Sequence, residues 1–233
     1  MKIDDPVAVA RQYATEGNLE ARRSLYANAE GPDPRELTFD AVAEARPERI
    51  LEVGGGPGEL AARLGHELGA EVTMLDISAR MVELAREQGV AAHVGDVQEL
   101  PFEDGAFDCA VAAWMLFHVH DLDRGLSELA RVLRPDGRLV AVTNAEHHLQ
   151  ELRELAGNAA WERVFTRENG AELIERHFGS VERRDADGWV TIEDEATIRG
   201  FVSSLDADEA VELPAYELPL RSRRATSIFV ATK

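Results

Sequence analysis

Gly54, Gly56 and Gly58 recur at alternate positions in Leu51-Glu52-Val53-Gly54-Gly55-Gly56-Pro57-Gly58-Glu59-Leu60, directly after an apolar run. Glycine lets a backbone turn sharply and lets a ligand come closer than any Cβ allows. Pro57 suits the first turn of a helix, where its missing N–H costs nothing. A strand, a glycine turn and a helix N-terminus make a ligand cradle at the carboxyl end of a sheet. About 20 residues further on, Glu71-Val72-Thr73-Met74-Leu75-Asp76 reads as a short strand ending in a carboxylate. An acid at that spacing accepts hydrogen bonds from both ribose hydroxyls of an adenosine cofactor.

The glycine pattern decides between adenosine cofactors. A nicotinamide site needs glycine or alanine where Glu59 stands, for close helix–strand packing beside a pyrophosphate. The second strand also lacks the arginine expected for a 2′-phosphate. The pattern is G-x-G-x-G, and four more motifs follow it: Asp76-Ile77-Ser78 with Met81, Gly95-Asp96-Val97 before Leu100-Pro101-Phe102, Phe107-Asp108, and Leu133-Arg134-Pro135-Asp136-Gly137-Arg138-Leu139. On these residues, from about Arg49 to Asn144, the chain resembles the class I S-adenosylmethionine (SAM)-dependent methyltransferases, in the group called the type 11 methyltransferase domain.

That resemblance implies SAM as cofactor and S-adenosyl-L-homocysteine as product. It places Gly54, Gly56 and Gly58 around the methionine half, with Glu52 and Gly54 facing the amino group. Asp76 would hold the ribose, and Ile77 and Met81 would pack on the adenine or ribose. Asp96 would accept from the adenine amino group, and the Val97 N–H would meet a ring nitrogen. Ala113 and Trp114 would line the methionine portion, with Trp114 also a wall for the acceptor. Tyr13 either closes over the cofactor or packs in the core. The N/D-P-P-Y/F/W motif of some adenine and glutamine methyltransferases is missing, which disfavours those acceptors.

A general base would come from His118, after the fourth core strand, or His148, after the fifth. Histidine takes a proton near neutral pH. A base is not obligatory, because aligning nucleophile, methyl and sulfur supplies much of the rate. His118-Val119-His120-Asp121 falls short of a binuclear metal pattern, which needs aspartate where Leu122 stands; Asp121 and Asp123 suit a helix cap instead, and no metal is expected.

Strands at 49–53, 71–76, 91–95, 107–113 and 138–143 alternate with helices at 57–68, 78–88 and 122–133, which predicts a doubly wound α/β sheet. By resemblance the sheet is Rossmann-like and seven-stranded, mostly parallel, with an antiparallel last strand at about Arg224 to Ala231. Val181–Arg184 and Trp189–Ile192 read as separate strands, and Asp194–Leu205 as an inserted helix. Residues 1–48 read as a helical lid broken at Gly31-Pro32-Asp33-Pro34, with a helix from Leu37 to Ala45. One domain over 1–233 is expected: the lid 1–48, a SAM-binding core 49–144, and a C-terminal half 145–233 whose insertions cover the substrate. Trp161, Phe165, Trp189 and Phe201 are candidates for an apolar acceptor pocket.

A chain of 233 residues with net charge −19 disfavours nucleic acid, whose phosphates reward Lys and Arg. The longest apolar run, Cys109–Phe117, is too short to span a bilayer, and Met1-Lys2-Ile3-Asp4-Asp5 has no secretory pattern. Cys109 is the single cysteine. The expectation is a cytoplasmic enzyme, monomer or homodimer, that methylates an O, N or C nucleophile of a small-molecule acceptor. The alternatives are a tRNA or protein methyltransferase and a non-catalytic SAM-binding regulator.

Overall fold

The strand before the glycine turn, β2 (Arg49–Val53), is buried along its last four residues, as an interior parallel strand must be. It pairs in parallel with β3 (Glu71–Asp76) on one side and β5 (Phe107–Ala113) on the other. β4 (Ala91–Val94) extends the sheet beyond β3, and β6 (Leu133–Asn144) lies beyond β5, both parallel. β8 (Leu220–Thr232) runs antiparallel between β6 and β7 (Ser180–Ile192). The computed structural model describes residues 24–157, 164–205 and 213–233. Within them the sheet has eight strands, one more than expected, because Ala29–Glu30 forms β1 on the outer edge of β7.

Residue alternation along β2 sorts the two faces. Leu51 and Val53 join a core with α4 (Leu122–Val132), α6 (Gly170–Glu175), Phe165 and Phe229. Ile50 joins a core with α1 (Pro34–Ala43) and α2 (Glu59–Leu68). α2 and α3 (Ala79–Glu87) share a smaller cluster through Ala61, Met74 and Ala85.

Three sequence expectations are corrected in detail. The helix expected from Leu37 starts at Pro34, because Asp33 caps it through the Arg35 N–H at 2.8 Å and proline fits the first turn. β7 is one strand rather than two: Gly188 stays extended in it and lets β1 cross, where a Cβ would lie 1.9 Å from the Glu30 carbonyl oxygen. β8 starts at Leu220, ahead of Arg224.

Thr226 pairs with Asn144, the last residue of β6, and also with Ala186. The rest of β7 and the start of β8 therefore project past the carboxyl edge as a two-stranded ribbon. α5 (Gln150–Leu155) and α7 (Glu195–Leu205) pack on that ribbon through Leu149, Leu152, Val190, Ile192, Ile198 and Phe201. Among the described residues no helix is long and apolar enough to cross a membrane.

Candidate functional site

The glycine turn after β2 is tied to β3 at two points. The Gly54 N–H donates to the Leu75 carbonyl at 2.7 Å, and the Gly56 N–H donates to Asp76 Oδ2 at 2.9 Å. Gly56 has φ +58°, and among the described residues no atom lies within 4 Å of where a Cβ would stand. Open space within that set thus faces the turn. At Gly54 a Cβ would come 2.7 Å from Met115 Cβ, so the next loop closes over it. Gly58 also serves packing, since a Cβ would sit 2.7 Å from that of Ala85 and its absence lets α2 close on α3.

Asp76 ends β3 almost fully buried. Its Oδ1 accepts the Ser78 N–H at 2.8 Å, so two backbone donors orient the carboxylate and each oxygen keeps a further lone pair. Burial raises its pKa, against the N–H groups of Ser78 and Gly56. Ser78 caps α3, as its sequence position suggests, with Met81 buried behind it and Ile77 half-buried.

Glu52 points to the α2 side of the sheet, 3% exposed. Burial pushes its carboxyl up to about 8; the Ala61 N–H opposes the rise and the nearby Asp76 charge adds to it. Its Oε2 is buried with no hydrogen-bond partner among the described residues.

Asp96 follows β4 and is clasped by Gln98. Its Oδ1 accepts the Gln98 N–H at 2.9 Å, and Gln98 Nε2 reaches both oxygens at 3.0 and 2.9 Å. The Val97 side chain is core, packed where Gly125 brings α4 close. Ala113 ends β5 half-buried. Trp114 follows with φ +55°, a strained value for a bulky residue and one that clusters at functional sites. Its indole N–H donates to Asn144 Oδ1 at 3.2 Å, and the Thr226 hydroxyl donates to the same oxygen at 2.9 Å. Sequence reading missed Asn144 and Gln98 as supports. Asn144's place at the carboxyl end of a central strand was the available signal.

A family model described as "Methyltransferase domain" matches residues 51–141, the stretch that carries all of these residues but Asn144 and Thr226. Residues 51–141 thus form a class I SAM-dependent methyltransferase core. It is 36% identical over 134 residues to a malonyl-[acyl-carrier protein] O-methyltransferase of Pseudescherichia vulneris, covering 57% of this chain and 51% of that protein. It is 34% identical over 131 residues to the ubiquinone/menaquinone biosynthesis C-methyltransferase of Vibrio cholerae, covering 52% and 50%. The chain thus spans about half the length of the curated relatives it matches. Among solved structures, a phosphoethanolamine N-methyltransferase 2 of Haemonchus contortus superposes with TM-score 0.67 at 18% identity, over 100% of this chain and 60% of that one. At that identity the likeness concerns the fold.

The two candidate bases have different surroundings. His118 lies on a 3-10 turn after β5, half-buried, its ring 4.4 Å from that of Phe117. His148 is buried, with Nδ1 3.0 Å from the Ala225 nitrogen and 3.1 Å from the Ala225 oxygen, and Nε2 3.0 Å from the Tyr26 hydroxyl. With Nδ1 accepting the Ala225 N–H, the ring proton lies on Nε2 and donates to Tyr26. His148 thereby finishes the edge of β8 where β6 stops. His148→Ala should destabilise the protein by about 1–3 kcal/mol, because it strands the Ala225 N–H. Urea unfolding measures this, and an unchanged midpoint would remove that structural role from His148.

Asp121 caps α4 through the Arg124 N–H at 3.1 Å. Among the described residues no group of three His, Cys, Asp or Glu could hold a metal. Phe165 is spent on the main core and Phe201 on the cover, while Trp189 lies under Arg221 and Arg223. Tyr13 and Trp161 lie outside the described residues.

Proposed function

We propose that the protein transfers a methyl group from SAM to an O, N or C nucleophile of a small-molecule acceptor. The observation that carries this reading is the Asp76 carboxylate, fixed by the Gly56 and Ser78 N–H groups beside open space. Its free lone pairs suit the ribose diol, and the unpartnered Glu52 Oε2 suits an ammonium group. Asp96 and the Val97 N–H would read the adenine, with Ile77 and Met81 packing beside it. Gly54, Ala113 and Trp114 would border the methionine portion. Bound SAM would supply an electrophilic methyl on sulfur, with S-adenosylhomocysteine as the product left behind.

The chain's own contribution is alignment. Trp114, hydrogen-bonded to Asn144, would wall the acceptor side, and His118 or His148 would take a proton where one must leave. The relatives' names include an O-methyltransferase and a C-methyltransferase, which supports a small or carrier-borne acceptor and leaves the nucleophile open. The charge of −19 weighs against RNA. Residues 1–48 and the insertions of 145–233 would form the acceptor cover of one domain, acting in the cytoplasm as monomer or homodimer.

Titration calorimetry with SAM, S-adenosylhomocysteine and NAD(H) tests the reading. Micromolar affinity for the first two alone is expected. Asp76→Ala should weaken SAM at least tenfold, since charge-assisted hydrogen bonds contribute about 1.5–3 kcal/mol each. Equal affinity in that variant would remove Asp76 from the site. SAM binding without turnover on any acceptor would favour a regulator.

A further inference from the structure

Arg221-Ser222-Arg223-Arg224 is a basic cluster in an acidic chain, and β8 divides it between two faces. Arg221 and Arg223 lie over the Trp189 ring on the outer face, 4.8 and 5.4 Å from its centroid. Arg224 turns to the other face and is 3% exposed. Its Nη2 donates to the carbonyl oxygens of Glu30 at 3.0 Å and Pro32 at 2.6 Å. Among the described residues its buried Nε has no acceptor, and no carboxylate pairs with the guanidinium.

Carbonyl oxygens satisfy donors but bring no counter-charge, and a guanidinium withdrawn from water without one is costly. The chain has 44 acidic residues against 25 Lys and Arg, yet none of the described ones answers this cation. Glycines keep room around it. A Cβ at Gly188 would sit 3.0 Å from Nη2, and one at Gly31 would sit 3.4 Å from it.

The position is as telling as the missing partner. Thr226 is paired with Asn144, the last residue of β6. Arg224 is two residues further along the same face, about 7 Å past the carboxyl edge. That face carries the Thr226–Asn144–Trp114 chain of hydrogen bonds that fixes the indole. The cation therefore stands over the edge where an acceptor enters, with Nη1 left over from the bonds to the β1–α1 connection.

We propose that Arg224 binds an anionic group of the methyl acceptor, so that the acceptor is a carboxylate or phosphate compound. The inference rests on the methyltransferase reading. Binding of the anion would supply the charge that no described carboxylate supplies, and arginine is the side chain suited to both groups.

The test uses full-length protein saturated with S-adenosylhomocysteine. It is titrated with malonate and with inorganic phosphate at constant ionic strength, with malonamide as the neutral probe. Millimolar binding of at least one anion is expected, reduced at least tenfold in Arg224→Met and partly retained in Arg224→Lys. Malonamide should not bind, and the S-adenosylhomocysteine affinity should stay within twofold throughout. If Arg224→Met does not fold, Arg224→Lys carries the comparison through a measurable loss. Anion affinity equal to wild type in the variants would overturn the proposal and reduce Arg224 to a tie for the β1–α1 connection. So would the absence of anion binding in wild type. Failure of S-adenosylhomocysteine itself to bind would instead strike the methyltransferase reading.

Discussion

Gly56→Val should weaken SAM binding at least a hundredfold while the protein still folds. Two properties of the position combine. The backbone is left-handed at φ +58°, which costs a branched residue about 1–2 kcal/mol. In a chain of this size that lowers the melting temperature by roughly 2–8 °C. A Cβ there would meet no atom of the described residues within 4 Å, so the side chain would enter the space beside the turn that the cofactor is proposed to use. Gly69, the C-cap of α2, supplies the control. It has φ +67° and also no atom within 4 Å of a Cβ, but it lies at the far end of the helix. Gly69→Val should show the same thermal penalty with unaltered SAM affinity. Equal affinity in both variants would mean that the open space at Gly56 is not the cofactor's.

The second large effect is a pH dependence set by Glu52. Folding moves its carboxyl from 4.5 to about 8, so between those values the native state holds a proton that the unfolded chain has lost. Stability from this group is full below 4.5 and drains away as pH rises through about 8. At about 1.4 kcal/mol per pH unit, up to roughly 4–5 kcal/mol is at stake. Asp76 is shifted in the same direction and adds to the trend. Arginine-paired carboxylates such as Glu128 are held low and lose their contribution only in more acidic solution. Glu52→Gln should flatten the urea-unfolding free energy between pH 5 and 9 and leave the variant more stable than wild type at pH 9. If Glu52 faces the cofactor's ammonium, it must ionise on binding, so SAM binding at pH 7 should release about one proton. Calorimetry in phosphate and Tris buffers reads that release. A binding enthalpy independent of buffer would detach Glu52 from the cofactor.

The parallel half of the sheet was legible because its signals are local. β2, β3 and β5 are short apolar runs, and Ser78 and Asp121 announce their helices by chemistry that acts within three residues. β1 has no such signal: two residues carry no period, and their pairing depends on what Gly188 omits, a hundred and more positions away. The site divided in the same way. The glycine turn and Asp76 were readable from type and spacing, and they do meet. The high pKa of Glu52 depends on burial and on the Asp76 charge, which no neighbouring residue foretells. His148 is a candidate base because it follows a core strand; that its imidazole also closes a strand edge through a partner in β8 was not legible in the sequence.

The place of β8 bears on how the molecule is made. It is the last strand in sequence, yet it fills the gap between β6 and β7, and β1 is joined to the sheet only through β7. Until Leu220–Thr232 has emerged, β6 has one side open and the ribbon, its helices and β1 have nothing to attach to. The parallel strands β2–β6 can assemble during synthesis, but the ribbon and what packs on it wait for β8. A chain cut short there would lose more than a margin: it would leave the flanks of β6 and β7 bare, and such flanks invite pairing with a neighbour on the same ribosome cluster.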